Sequence, residues 1–176
     1  MSRARLYPKG QRLWYLGAVL TRILSVVVLV AACGGESSKQ APAAPTSILE
    51  PYITIQETLA RDSLERLSEL SAQVVMAAEP LQQEAGVADV VVGAGRVAAH
   101  DIETARAGFQ KMSAGMITYL KAHPDKRAGY EVVFCSMAFN NKGAYWVQKE
   151  GEIVNPYHGM MMLRCGDKVA WDQAPG

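Results

Sequence analysis

The chain reads as a mainly α protein: an antiparallel four-helix bundle followed by a C-terminal irregular, short-strand segment that carries Cys and Met. Three observations lead there. From Ser47 to Ala122, apolar residues recur at three- and four-residue intervals in four blocks, the spacing of a buried helix face. Those blocks are divided by helix starts and stops at Asp62, Pro80, Asp101 and His123-Pro124. Beyond Gly129 the helical period gives way to β-branched and aromatic residues with turn signals between them.

The first helix is expected from about Ser47 to Arg61, with Leu49, Tyr52, Ile53, Gln56, Leu59 and Ala60 on one face. Pro51 is tolerated in its first turn, where no intrahelical donor is lost. Asp62 followed by Glu65 predicts a capping box. It opens a second helix with Leu64, Leu67, Ser71, Val74, Val75 and Ala78 facing inward and Pro80 closing it. A third helix, Val87 to Ala99, buries Val90, Val91, Ala94, Val97 and Ala98, and Gly93 and Gly95 should weaken it by up to ~1 kcal/mol each. Asp101 caps the fourth, Ile102 to Ala122, whose stripe is Ile102, Ala105, Phe109, Met112, Met116 and Leu120. Short connections make antiparallel packing natural. Met112 and Met116 are read as core filling, His100 as a helix-boundary residue and His123 as an exposed terminus.

Tyr130 to Cys135 has the composition of a short strand, and Asn140-Asn-Lys-Gly143 that of a turn. The remainder, through Asn155-Pro156 and Gly166 to Val169-Ala-Trp171, is expected as turns and short pieces, with room for another short strand. It should pack across the helices, since Trp146, Tyr157 and Trp171 each have a large surface to bury.

A chain of 176 residues, 49% hydrophobic and 20% charged, holds one domain and a targeting segment. Arg3, Arg5, Lys9, Arg12 and Arg22 precede the apolar run Ile23 to Ala32, the pattern of an export signal. At roughly ten residues against the ~20 needed, that run is short for a bilayer span. Leu29-Val-Ala-Ala-Cys33 resembles the lipobox of bacterial lipoproteins, which implies cleavage after residue 32 and a diacylated Cys33. The incidental cysteine of an ordinary secretory signal is the lesser alternative. Gly34 after Cys33, rather than Asp, resembles lipoproteins sent on to the outer membrane, so the expected location is the periplasm-facing envelope. Residues 33–46, rich in Gly, Ser, Ala and Pro, form a tether, and residues 47–172 form the folded domain. Loss of residues 1–32 removes five basic and no acidic groups, leaving 13 Lys and Arg against 17 Asp and Glu, a net charge near −4. That balance argues against nucleic acid as a partner.

With Cys33 lipidated, Cys135 and Cys165 are the two remaining thiols. An even pair in an exported domain suggests a disulfide, worth ~3–4 kcal/mol for a loop of about 30 residues. Equally, Met137 follows Cys135 by two residues and Met160, Met161 and Met162 precede Cys165, a set of soft donors suited to Cu(I) or Ag(I).

Phe134-Cys-Ser-Met-Ala-Phe, Lys142-Gly-Ala-Tyr-Trp-Val-Gln148, Glu152-Ile-Val-Asn-Pro-Tyr-His-Gly159 and Met162-Leu-Arg-Cys-Gly166 together resemble a bacterial domain family of unknown function. Its members are stand-alone exported proteins and C-terminal extensions of CusB-like copper and silver efflux adaptors. The likeness spans Ile48 to about Val169. The resemblance implies Cys135, Met137, Met162 and Cys165 as soft-metal ligands and a metal-efflux adaptor or pump component as partner. Ser136 stands where the family usually has proline, and His158 replaces an aromatic, adding either an imidazole ligand or a polar rim.

Two functions remain open: a lipid-anchored module that binds or relays Cu(I) or Ag(I), and a disulfide-stapled module that docks on an envelope or efflux partner. An enzyme is not expected, because no nucleophile–base pair is visible. Thiol–disulfide exchange by Cys135 and Cys165 would need one exposed thiol of lowered pKa.

Overall fold

The computed structural model describes residues 45–176. The export signal, Cys33 and the tether as far as residue 44 lie outside the described residues. The described chain is mainly helical, with a small three-stranded antiparallel sheet. None of its helices is long and apolar enough to cross a membrane.

Helix α1, Leu49–Ala60, starts where the Ser47 hydroxyl accepts the Leu49 amide at 3.1 Å. An amphipathic helix was expected, yet Ile55 and Thr58 are buried along with the predicted face. The reason is that α1 is covered on several sides, touching the second and fourth helices, the sheet and the methionine turn, and a helix apolar nearly all round is an interior helix.

Helix α2, Leu67–Ala78, begins four residues later than an Asp62 cap would place it. The capping box does not form. Asp62 and Arg66 are left-handed, at φ 55° and 59°, and the Asp62 carboxylate is taken up by long-range partners: Arg106 at 2.6 Å and the Met160 amide at 2.9 Å. Leu64 therefore falls in a loop and is exposed, as is Val75. After Pro80, α3 spans Val87–Val97 and α4 spans Ile102–Ala122. The Asp101 cap is present, its carboxylate accepting the Thr104 amide at 2.8 Å. Met112 and Met116 are fully buried. His123 is not an exposed terminus: its Nδ1 lies 2.8 Å from the Tyr119 carbonyl, and its ring packs on Tyr119 at 4.4 Å.

Helices α3 and α4 approach closely, and Gly93 is why. A Cβ there would lie 2.3 Å from the Met112 backbone nitrogen, so the residue expected to weaken α3 is what admits its partner. Gly95, by contrast, has nothing within 4 Å. Gly93→Ala should therefore destabilise by about 1–3 kcal/mol through overpacking, whereas Gly95→Ala should be stabilising by up to ~1 kcal/mol. Urea unfolding of the two variants checks the opposite signs.

The tail forms the expected strand at Tyr130–Cys135 and two more beyond it, where turns, short pieces and room for one further strand were expected. β1, Tyr130–Cys135, lies between β2, Ala144–Lys149, and β3, Asp167–Val169, all antiparallel. Cys135 pairs with Ala144, and Phe134 pairs with Tyr145 on one side and Asp167 on the other. The chain turns from β1 into β2 through Phe139, Asn140 and Asn141, all at positive φ, and then Gly143 at 77°. The far edge of β2 is closed by two phenols: Tyr157 donates to the Tyr145 carbonyl at 2.7 Å, and the Val147 amide donates to Tyr52 at 3.0 Å. Satisfying those edge groups blocks addition of another strand. Tyr52 also shares a 2.8 Å hydrogen bond with Ser113 on α4, and burial pushes its phenol well above the ordinary range. Of the three aromatics expected to cover the helices, Trp146 and Tyr157 are buried, and Trp171 is half-buried beneath the Arg127 guanidinium, 5.0 Å from its ring centre. Ala174 is buried too, so packing continues past residue 172.

Candidate functional site

Cys135 is the last residue of β1, and Cys165 sits two residues before β3. Because β1 and β3 are antiparallel neighbours, the 30 residues between the cysteines fold back and place the two sulfurs 3.0 Å apart. At that separation they are in contact without a disulfide bond, Cys135 buried and Cys165 half-buried. The Cys165 thiol is pushed up to about 11, first by its hydrogen bond to Cys135 and then by burial. A thiol held neutral in this way is a poor nucleophile.

Two networks hold Cys165 against β1. Asn155, fully buried, accepts the Tyr157 and His158 amides at 2.8 and 3.1 Å and donates to the Cys165 carbonyl at 2.7 Å. Its own amide donates to Leu163 at 2.8 Å. Every polar group of Asn155's side chain thus serves to close the 155–165 loop. The second network is Gln148, whose Oε1 accepts from Trp146 Nε1 and the Val154 amide, both at 3.1 Å, while its Nε2 donates to Glu131 and the Glu152 carbonyl. Buried amides with all partners in place specify one geometry.

The same loop is pinned to the helices by Arg106. Its Nε donates to the Pro156 carbonyl at 2.8 Å and one terminal nitrogen to Leu59 and Asp62. Gly159, at φ +58°, lies so close to Asp62 that a Cβ would stand 1.9 Å from the carboxylate. The Met160 amide, then Arg106, hold the Asp62 carboxyl below its usual range.

The structure thus joins Cys135 and Cys165 and treats the methionines unequally. Gly159–Met162 is a 3₁₀ turn. At three residues per turn, consecutive side chains point in three directions, so Met160, Met161 and Met162 cannot all face one ion. Met162 is half-buried and its carbonyl accepts the Cys165 amide at 2.9 Å, while Met160 and Met161 are 62% and 87% exposed. Met137, just past β1, is 45% exposed. His158 is half-buried, and its Nε2 is a buried nitrogen without a hydrogen-bond partner. Among the described residues, no three His, Cys, Asp or Glu side chains gather as a metal-holding group.

Arg106, Asn155 and Gln148 carry the site's scaffold and were not singled out from the residues. One local signal was available: Arg106 lies between Ala105 and Phe109 on a helix face that is otherwise apolar. No protein-family model, curated protein or solved structure matches the chain.

Proposed function

We propose that this is an exported, lipid-anchored protein that binds or relays soft heavy-metal ions, Cu(I) or Ag(I), in the bacterial envelope in association with metal efflux, and that it is not an enzyme. The observation that carries this reading is the approach of Cys135 and Cys165 to 3.0 Å at one end of the sheet, with thioethers on either side in the chain. Two thiolates with thioether neighbours are soft donors that discriminate against hard cations. In this reading Cys135 and Cys165 bind the ion, Met137 and Met162 complete its surroundings, and His158 supplies an imidazole or the rim. Cys33 anchors the protein through its lipid, and helices α1–α4 form an antiparallel four-helix bundle that presents the site to an efflux partner.

The same 3.0 Å approach favours a second reading, a Cys135–Cys165 disulfide that staples an interaction module with no metal site. One experiment separates the two: free thiols are counted on the folded and unfolded chain, then Cu(I) is titrated against a competing chelator before and after reduction. The metal reading expects two thiols and tight binding that disappears in Cys135→Ser. A disulfide that resists mild reduction, with no binding in either state, would leave the stapled module.

The metal reading also fixes a pH dependence. Each ion that binds the Cys165 sulfur must expel its proton, because the thiol, raised to about 11, is neutral at pH 7. Affinity should therefore rise about tenfold per pH unit for each proton displaced, between pH 6 and 9. The folded thiol's raised value acts in the other direction on stability: its contribution is complete below the unfolded thiol's ~8.5 and is lost as pH climbs through the folded value. Chelator competition at three pH values gives the slope, and a flat profile would exclude Cys165 as a ligand.

A further inference from the structure

The geometry points to Met160 and Met161 as a surface capture site for soft monovalent cations, which passes them through Met162 to the Cys135–Cys165 pair. The inference rests on the metal reading above and goes further, since it assigns a role to the two methionines that the 3₁₀ turn directs away from the thiols.

Among the described residues, Met160 and Met161 are the most exposed of the large apolar side chains, at 62% and 87%. They are not there to pack: neither belongs to the buried core, whereas Met112 and Met116 do. Nor are they carried on a loose loop. The Met160 amide is held by Asp62, Asp62 by Arg106, and Arg106 by the Pro156 and Leu59 carbonyls. Gly159 sits against the Asp62 carboxylate in a left-handed conformation that a Cβ would forbid. The fold thus invests a buried-arginine network in presenting two thioethers to solvent. Thioethers are soft donors that bind monovalent soft cations without losing a proton, and here they are the sulfurs most open to solvent. The next residue, Met162, is half-buried and hydrogen-bonded through its carbonyl to Cys165. The chain therefore runs from exposed thioether to half-buried thioether to thiol within six residues. Transfer is a ligand exchange: a metal–thioether contact breaks, a metal–sulfur bond to the cysteine forms, and the thiol proton leaves to water.

The test uses the full chain in detergent, reduced, with its methionine methyl groups labelled with carbon-13, and Ag(I) as a redox-inert probe. Met160→Leu and Met161→Leu assign the two signals. In a Cys135→Ser/Cys165→Ser variant, where the ion cannot pass on, Ag(I) should move the Met160 and Met161 methyl signals while those of buried Met112 and Met116 stay fixed. In the Met160→Leu/Met161→Leu double variant, Cu(I) uptake from a chelator should be roughly tenfold slower, the rate equivalent of ~1.4 kcal/mol, with unchanged final stoichiometry. Leucine at two exposed positions leaves the unfolding midpoint as a control for folding. Tight binding in the wild type with silent Met160 and Met161 signals in the cysteine variant, or an unchanged uptake rate in the double methionine variant, would overturn the capture site alone. Absence of tight binding in the reduced wild type would overturn the metal reading and the capture site with it.

Discussion

Replacing Trp146 by alanine is expected to remove about 3–5 kcal/mol of stability, a large share of the 5–15 kcal/mol typical of a domain. Trp146 is fully buried at the centre of β2. Its ring meets Tyr157 edge-on at 5.7 Å, and its far edge is 3.0 Å from where a Cβ on Gly166 would stand. The indole therefore lies directly under the residue after Cys165, so its loss opens a cavity beneath the thiol pair as well as costing transfer free energy. The indole N–H also donates to Gln148, and removing it withdraws one of the two donors to that buried amide oxygen. Two readouts should change together: the urea midpoint falls, and the half-buried Cys165 reacts faster with a chromogenic disulfide. Trp171→Ala is the comparison. That ring is half-buried and contacts Arg127, an interaction worth ~0.5–1 kcal/mol at a site open to solvent, so its midpoint should barely move. Equal losses in the two variants would show that the ring under the thiols is not what holds them.

Arg106→Met is expected to cost about 1–3 kcal/mol, because it orphans the buried Pro156 carbonyl, whereas the Leu59 carbonyl keeps the Asp62 amide as a donor. The arginine side chain is only 14% exposed, so water cannot readily take its place. Arg106→Lys should recover part of the loss, since an ammonium keeps the charge but cannot reproduce the guanidinium's fork. The effect should be directional: the 155–162 loop loosens first, seen as proteolysis there at denaturant concentrations that leave the helices intact. Asp62 adds a pH signature. Its folded carboxyl lies below the ordinary value, held by the Met160 amide and Arg106. Its stabilising contribution is thus present above the unfolded value near 4 and lost as pH falls through the lower folded value. Asp62→Asn should lower stability at neutral pH and flatten the acid limb of the stability curve, so that variant and wild type converge at low pH. An unaltered acid limb would mean that the carboxylate does not pin the loop.

Much of the fold was legible because it is local. The four helical blocks follow from three- and four-residue periodicity, and α4 begins where Asp101 caps it and ends before His123-Pro124. β1 has the predicted bounds, and Met112 and Met116 lie in the core. Failures came where a local signal had a distant competitor. Asp62 and Glu65 have the spacing of a capping box, but Arg106, 44 residues away, and Met160, 98 residues away, take the carboxylate. Gly93 reads as a helix defect until α4 is packed on it. β2 was missed because Ala144 to Lys149 is buried on both faces for much of its length, Trp146, Val147 and Gln148 in succession, and so lacks the alternation that marks a half-buried strand.

The candidate site divides in the same way. Which side chains are soft, and that they cluster in the last forty residues, was determined by the amino-acid sequence alone, because donor chemistry belongs to the residue type. That Cys135 and Cys165 meet, that Met162 turns inward while Met160 and Met161 face solvent, and that Asn155, Gln148 and Arg106 hold them so was decided by the tertiary structure. Strand pairing across 30 residues and a four-residue 3₁₀ turn set those directions, and neither is encoded in the spacing of the sulfur residues themselves.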